Sequence, residues 1–106
     1  MLNPGEMFSK LMPVAVLSLA VHLPGCSSLK EKRSRLLPLL TRLHREFNIS
    51  VAEIDHQDVW QSAQLACAAV NTDAVHLQRS LSQVSAWIEK HWPDVTIVDD
   101  KIEVLL

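Results

Sequence analysis

Three acid–base residues crowd one short segment of this 106-residue chain, Asp55, His56 and Asp58 in IDHQDVW. Together with His22 they are the residue types from which a divalent-metal site or a general acid–base pair is built. Their spacing points elsewhere. A defined site would show a helical i,i+4 pair or a strand-alternate histidine pair, so that both side chains point the same way. DHQD instead has the chemistry of a tight turn. The plainer expectation is that Asp55 and Asp58 fold a hairpin by side-chain-to-backbone bonds while Trp60 plugs the edge of the core. His22 is expected to be a half-buried sheet residue or part of a subunit contact. The two glycines lie in Pro-Gly-Glu and Pro-Gly-Cys, so a glycine-rich phosphate cradle cannot be built in standard form. With no nucleophile–base pair either, the chain is read as a non-enzyme with no metal and no cofactor.

The second chemical group is cationic. Residues 27–47 hold Lys30, Lys32, Arg33, Arg35, Arg42 and Arg45 against Glu31 and Glu46 only, although the whole chain has a net charge of -2. Such a dipolar protein can offer one basic face to phosphates or to an acidic partner. On a helix these six cations would position an RNA backbone, with Ser27, Ser28 and the helix N-terminus adding donors. The opposing reading is a solvated helix face with Glu31–Arg35 as an ordinary i,i+4 pair. The chain has no tyrosine, and no interleaved set of exposed aromatics is evident. Base reading by stacking on a sheet is therefore not expected.

The elements that must position these residues follow from periodicity. VAVLSLAVHL (14–23) reads as a strand with Leu17, Leu19, Val21 and Leu23 on the face toward helices, and Pro24-Gly25 stops it. Ser27 or Ser28 then caps a helix through Phe47, with Leu29, Leu36, Leu40, Leu43 and Phe47 in one stripe and Leu37 beside it. Pro38 predicts a kink or a break there. NISVAEI (48–54) reads as a strand, and residues 60–71 as another. Their alanines and glutamines favour helix, but the turn before them is short. Ala74, Leu77, Leu81, Val84, Ile88 and Trp92 define a second helical face, closed by Pro93. VTIVDDKIEVLL is the last strand. Trp87 falls off the stripe and is expected to pack on the N-terminal extension or on a second subunit.

The order is βαββαβ, an α+β two-layer sandwich in which two helices cover one face of a four-stranded antiparallel sheet. The other face is left open for a ligand or a second copy. One domain over 13–106 suits the length, and residues 1–12 read as a mobile extension. Lys10, the apolar run and LPGC resemble a lipoprotein signal, but Pro13, His22 and Pro24 interrupt it, and the run is too short to span a bilayer. Cys26 and Cys67 lack any metal-ligand spacing and read as reduced thiols of a cytosolic protein.

Two long motifs carry a family resemblance. HLPGCSSLKEKR, followed by FNISVAE, DHQDVWQ and AAVNTD in that order, closely resembles the YlxP-like family, the domain of unknown function 503. The resemblance runs from Val14 to the last strand. It implies a ferredoxin-like fold, a soluble cytoplasmic protein, and members often encoded beside translation-initiation and ribosome-binding-factor genes. Pro38 departs from the family pattern, as does a longer leader. The resulting expectation is a non-catalytic accessory factor touching the ribosome or RNA through the first helix. The alternative is a structural homodimer or small-ligand module using the open sheet face.

Overall fold

The computed structural model describes residues 1, 3, 13–55 and 58–105. Most of the N-terminal extension, and His56 of the turn, therefore lie outside the described residues. Within them the chain runs β1 (Val14–His22), α1 (Leu29–Phe47), β2 (Ser50–Asp55), β3 (Ser62–Val70), α2 (Ala74–His91) and β4 (Thr96–Leu105). The sheet order is β2-β3-β1-β4, with every neighbouring pair antiparallel. This is the ferredoxin-like α+β arrangement.

Alternation along β1 does what its sequence requires. Ala15, Leu17, Leu19 and Val21 are buried on the helix side, where Leu17 faces Cys67 on β3 and Ile102 on β4. From α2, Leu77, Leu81, Val84 and Ile88 complete the core; from α1, Leu36, Leu39 and Leu43 do so. Burying each such side chain contributes roughly 1.5–3 kcal/mol before entropy is counted. The α1 stripe differs in detail from its expected one. Leu39 is fully buried and Leu37 is 59% exposed, while Leu40 and Phe47 pack only at the margin.

α1 passes through Pro38 as one helix of 19 residues, so of the expected kink or break the break does not occur. Pro38 is exposed, and at a solvent-side position water can satisfy the carbonyl left without its N–H donor. Ser28 is the N-cap, its Oγ accepting the Glu31 N–H at 3.0 Å, while Glu31 Oε2 accepts the Ser27 N–H at 3.1 Å. That reciprocal pair closes the first turn in the manner of a capping box. Asn48, at φ 50°, ends the helix in the left-handed region that asparagine tolerates. Asp73 caps α2 through the N–H groups of Val75 and His76 at 3.0 and 3.2 Å.

Gly25 takes φ +71° in the turn after β1, a conformation strained for any side chain. Two irregularities shift register at the sheet edges, one between Glu53 and Asp55 on β2 and one on β4 opposite Ala20 and Val21. Such bulges twist an edge strand away from pairing with other chains.

Trp87 needs no second subunit. Its ring lies edge-on to Phe47 at 5.9 Å, stacks on His91 at 4.8 Å and on Trp92 at 6.3 Å, and carries the Arg42 guanidinium 5.5 Å from its centroid. This cluster fastens the C-terminal half of α1 to α2.

Candidate functional site

Two sequence-distant pieces meet at one end of the molecule: the β1–α1 turn with the start of α1 that follows it, and the β2–β3 hairpin. Lys32 is what joins them. Its ammonium sits 2.6 Å from Glu53 Oε2 on β2 and donates to the Val59 carbonyl at 2.7 Å in the hairpin turn. Lys32 is 2% exposed, so the four methylenes of its stem are buried with the leucines and only the head group is charged. This corrects the expectation that Lys32 contacts a phosphate. A side chain that faces the sheet and is capped by a carboxylate has nothing left to offer a polyanion.

Trp60 is also placed differently from expectation. It is 49% exposed, as Val59 is at 47%, and it does not plug the core edge. Lys32 spans from α1 to the hairpin instead, which leaves the indole outside. A cleft of about 320 Å³ lined by Leu29, Lys32, Arg33, Glu53 and Asp58 adjoins a second of about 340 Å³ lined by Asp58, Val59, Trp60 and Gln61. Asp58 is the wall they share. Arg33 and Trp60 therefore stand on either side of one acidic divider.

The remaining cations divide into two groups. At about 100° per residue, Arg35 and Arg42 lean toward α2. Arg35 binds Asp94 Oδ2 at 3.0 Å and the carbonyls of Pro24 and Asp94, with Glu31 3.6 Å away. Arg42 pairs with Glu46 at 3.2 Å and covers Trp87. Both are committed to internal partners, Arg35 the more so at 15% side-chain exposure. Lys30, Arg33 and Arg45 lie on the outward crest of α1, are exposed, and make no ion pair among the described residues. Residues 30 and 45 are about 22 Å apart along the helix axis. The six-cation face thus reduces to three free cations, and both acidic residues of α1 are spent on Arg35 and Arg42.

The described acid–base candidates, His22, Asp55 and Asp58, do not assemble. His22 is exposed on the open sheet face, opposite Ser62 and Thr96. Asp55, opposite Gln64, lies on that same face, whereas Asp58 lines the clefts on the helix side. Among the described residues no group of three or more His, Cys, Asp or Glu could hold a metal ion.

Two groups have displaced proton affinities, Glu31 at the site and Cys67 in the core. Glu31 is held below the ordinary carboxylate value, first by the Cys26 thiol. Partial desolvation works the other way and is outweighed once the Ser27 N–H and the Arg35 guanidinium are added. The Cys26 Sγ also lies 3.5 Å from the Ser28 carbonyl oxygen, to which it can donate, so the buried thiol serves the cap whichever acceptor it takes. Burial alone pushes Cys67 up to about 12, which makes it an inert core side chain.

By class the chain is a ferredoxin-like α+β domain, with a three-cation helix crest and an exposed tryptophan beside its β2–β3 turn. The comparisons with known proteins place it more narrowly. The family described as "Protein of unknown function (DUF503)" matches residues 14–102, and the chain belongs to that family. It is 41% identical over 68 residues to the "Uncharacterized protein YlxP" of Bacillus subtilis (strain 168), a match covering 64% of this chain and 73% of the relative. No helix among the described residues is long and apolar enough to cross a membrane.

Proposed function

We propose that this protein is a non-catalytic RNA-binding accessory factor of the ribosome, docking through the outward crest of α1 and the adjoining hairpin. The observation that carries the reading is the sorting of the cations. Lys32 and Arg35 are neutralised by partners across the fold and Arg42 by a surface pair with Glu46, and what remains is a crest of Lys30, Arg33 and Arg45 with no carboxylate paired to it among the described residues.

Its chemistry suits a flexible, single-stranded region. Phosphates would meet the crest over about 22 Å of helix. One base would stack on the half-exposed Trp60 indole, a contact contributing about 1–3 kcal/mol in comparable sites and tolerant of sequence. Asp58 between Arg33 and Trp60 repels a phosphate and so steers the backbone to the cationic side. A cytoplasmic setting fits two unpaired, buried thiols.

The test is co-sedimentation with ribosomes and fluorescence anisotropy on labelled single-stranded RNA across a salt series. Each of Lys30→Glu, Arg33→Glu and Arg45→Glu is expected to reduce the salt slope by about 0.7, the value for one single-strand phosphate contact. Trp60→Ala is expected to weaken binding with the slope unchanged. Absence of binding at every salt concentration, or charge reversals that change nothing, would remove the reading.

A further inference from the structure

The open face of the sheet has a composition that a solvated surface does not explain. β1 and β3 are the two central strands, and their outward positions alternate from Val14 to His22 and from Ser62 to Val70. Those ten positions contain no Asp, Glu, Lys or Arg. A solvated surface is about 25–35% charged, so two or three would be expected there. The antiparallel sheets of monomers alternate polar outward with apolar inward. Here the outward set is Ala66, Ala68, Val16, Ser18 and Ala20 at its centre, running at one end into a row of Val70, Val14 and Leu105. Val70 and Leu105 are 62% and 49% exposed.

We infer that this face is an interface between two copies of the chain, packed sheet to sheet. Three observations select a second copy over other occupants. The first is size. Strands of nine, six, nine and ten residues, rising about 3.3 Å per residue and spaced about 4.8 Å, project roughly 540 Å², and side-chain relief raises the accessible area towards the ~800 Å² per partner of a standard interface.

The second is shape. Alanine and serine leave the face low and flat, so a twofold-related sheet can approach without repacking, and an isologous contact needs only one self-compatible surface. The third is charge. The charged residues are confined to the edge strands. Lys101 and Glu103 on β4 neutralise each other at 3.0 Å, and Asp55 and Asp99 lie in one row toward the His22 end. That leaves no unpaired Lys or Arg on this face among the described residues to hold a nucleic acid. The helix crest stays outside the contact, so this inference stands independently of RNA binding.

Sedimentation velocity of the full chain, from low micromolar to roughly 100 µM, reads the assembly over the range where a standard-size interface forms. The expected result is a species of twice the monomer mass. Ala66→Glu brings like charges together across the twofold and is expected to raise the dissociation constant by roughly a hundredfold or more, with Gln83→Glu on the exposed side of α2 as an unaffected control. Far-UV circular dichroism checks that each variant folds. Should Ala66→Glu not fold, the nearly isosteric Ser18→Cys is expected to crosslink between copies with a short bis-maleimide, the native thiols being buried. A wild type that stays monomeric overturns the inference and returns the face to another occupant. A dimer that survives a folded Ala66→Glu, or one in which Ser18→Cys fails to crosslink, overturns it as well.

Discussion

Removing the Glu53 carboxylate is expected to destabilise the fold far more than its place on an edge strand suggests. Lys32 is 2% exposed with its ammonium 2.6 Å from Glu53 Oε2. Glu53→Ala leaves that charge buried against the Val59 carbonyl without the carboxylate. Breaking a buried ion pair from one side costs about 3–5 kcal/mol. The Glu53 side chain is 22% exposed, and some water reaches the pair, so the low end applies, about 3 kcal/mol. For a domain near this length each kcal/mol lowers Tm by about 4–8 °C, which gives a drop of about 12 °C or more. Lys32→Met is the informative partner variant. It keeps the apolar stem, removes the charge, and leaves the Val59 carbonyl and a partly hydrated Glu53, at a cost of about 1–2 kcal/mol. Thermal and urea unfolding followed by circular dichroism would order the three proteins as wild type, Lys32→Met, Glu53→Ala. Salt adds a second reading. At 1 M the screening length is about 3 Å, enough to weaken the exposed Arg42–Glu46 pair but not the enclosed one, so the gap between wild type and Glu53→Ala should persist. A Glu53→Ala protein melting within about 3 °C of wild type, or one more stable than Lys32→Met, would refute a structural role for the Lys32–Glu53 pair.

Three further outcomes follow from the same structure. Cys67, raised from 9.0 to about 12 by burial, should resist alkylation at pH 8 in the native state and react in denaturant. Because the unfolded chain releases that proton first, the stability this thiol contributes is intact below pH 9 and declines by about 1.4 kcal/mol per unit between the two values; a flat stability profile from pH 9 to 11 would contradict the burial argument. Ser28→Ala and Asp73→Ala each remove an N-cap and should cost about 1 kcal/mol, visible as a Tm drop of about 4–8 °C. The Glu31 carboxyl, held low in the folded state, adds cap stability that is present above its ordinary value and lost as pH falls through the depressed one, so acid titration of Glu31→Gln should lack that component.

Most of the architecture was legible in the chain. The β1 alternation, the apolar face of α2, Asp73 before it and Pro93 after it are local signals, and local signals survive folding because backbone geometry sets their period. The 60–71 segment had helical propensity and still formed a strand, over Ser62–Val70, because β3 lies between β2 and β1 and pairs with both. The site was harder to read. Six cations in one helix are visible as a list, and so are Trp60 and the acids of the hairpin.

Several of their fates were set by neighbours more than twenty residues away in the sequence. Lys32 meets Glu53 and Val59, Arg35 meets Asp94, and Trp60 is left outside because a lysine stem crosses to the hairpin. Helical spacing fixes the angle at which a side chain leaves its axis but carries no information about what stands opposite. The sequence by itself therefore determined the family, the order of elements and the buried stripes. Only tertiary packing decided which charges are structural and which are free, because an ion pair depends on distance in space and a charge on a helix has many possible partners until the sheet is in place.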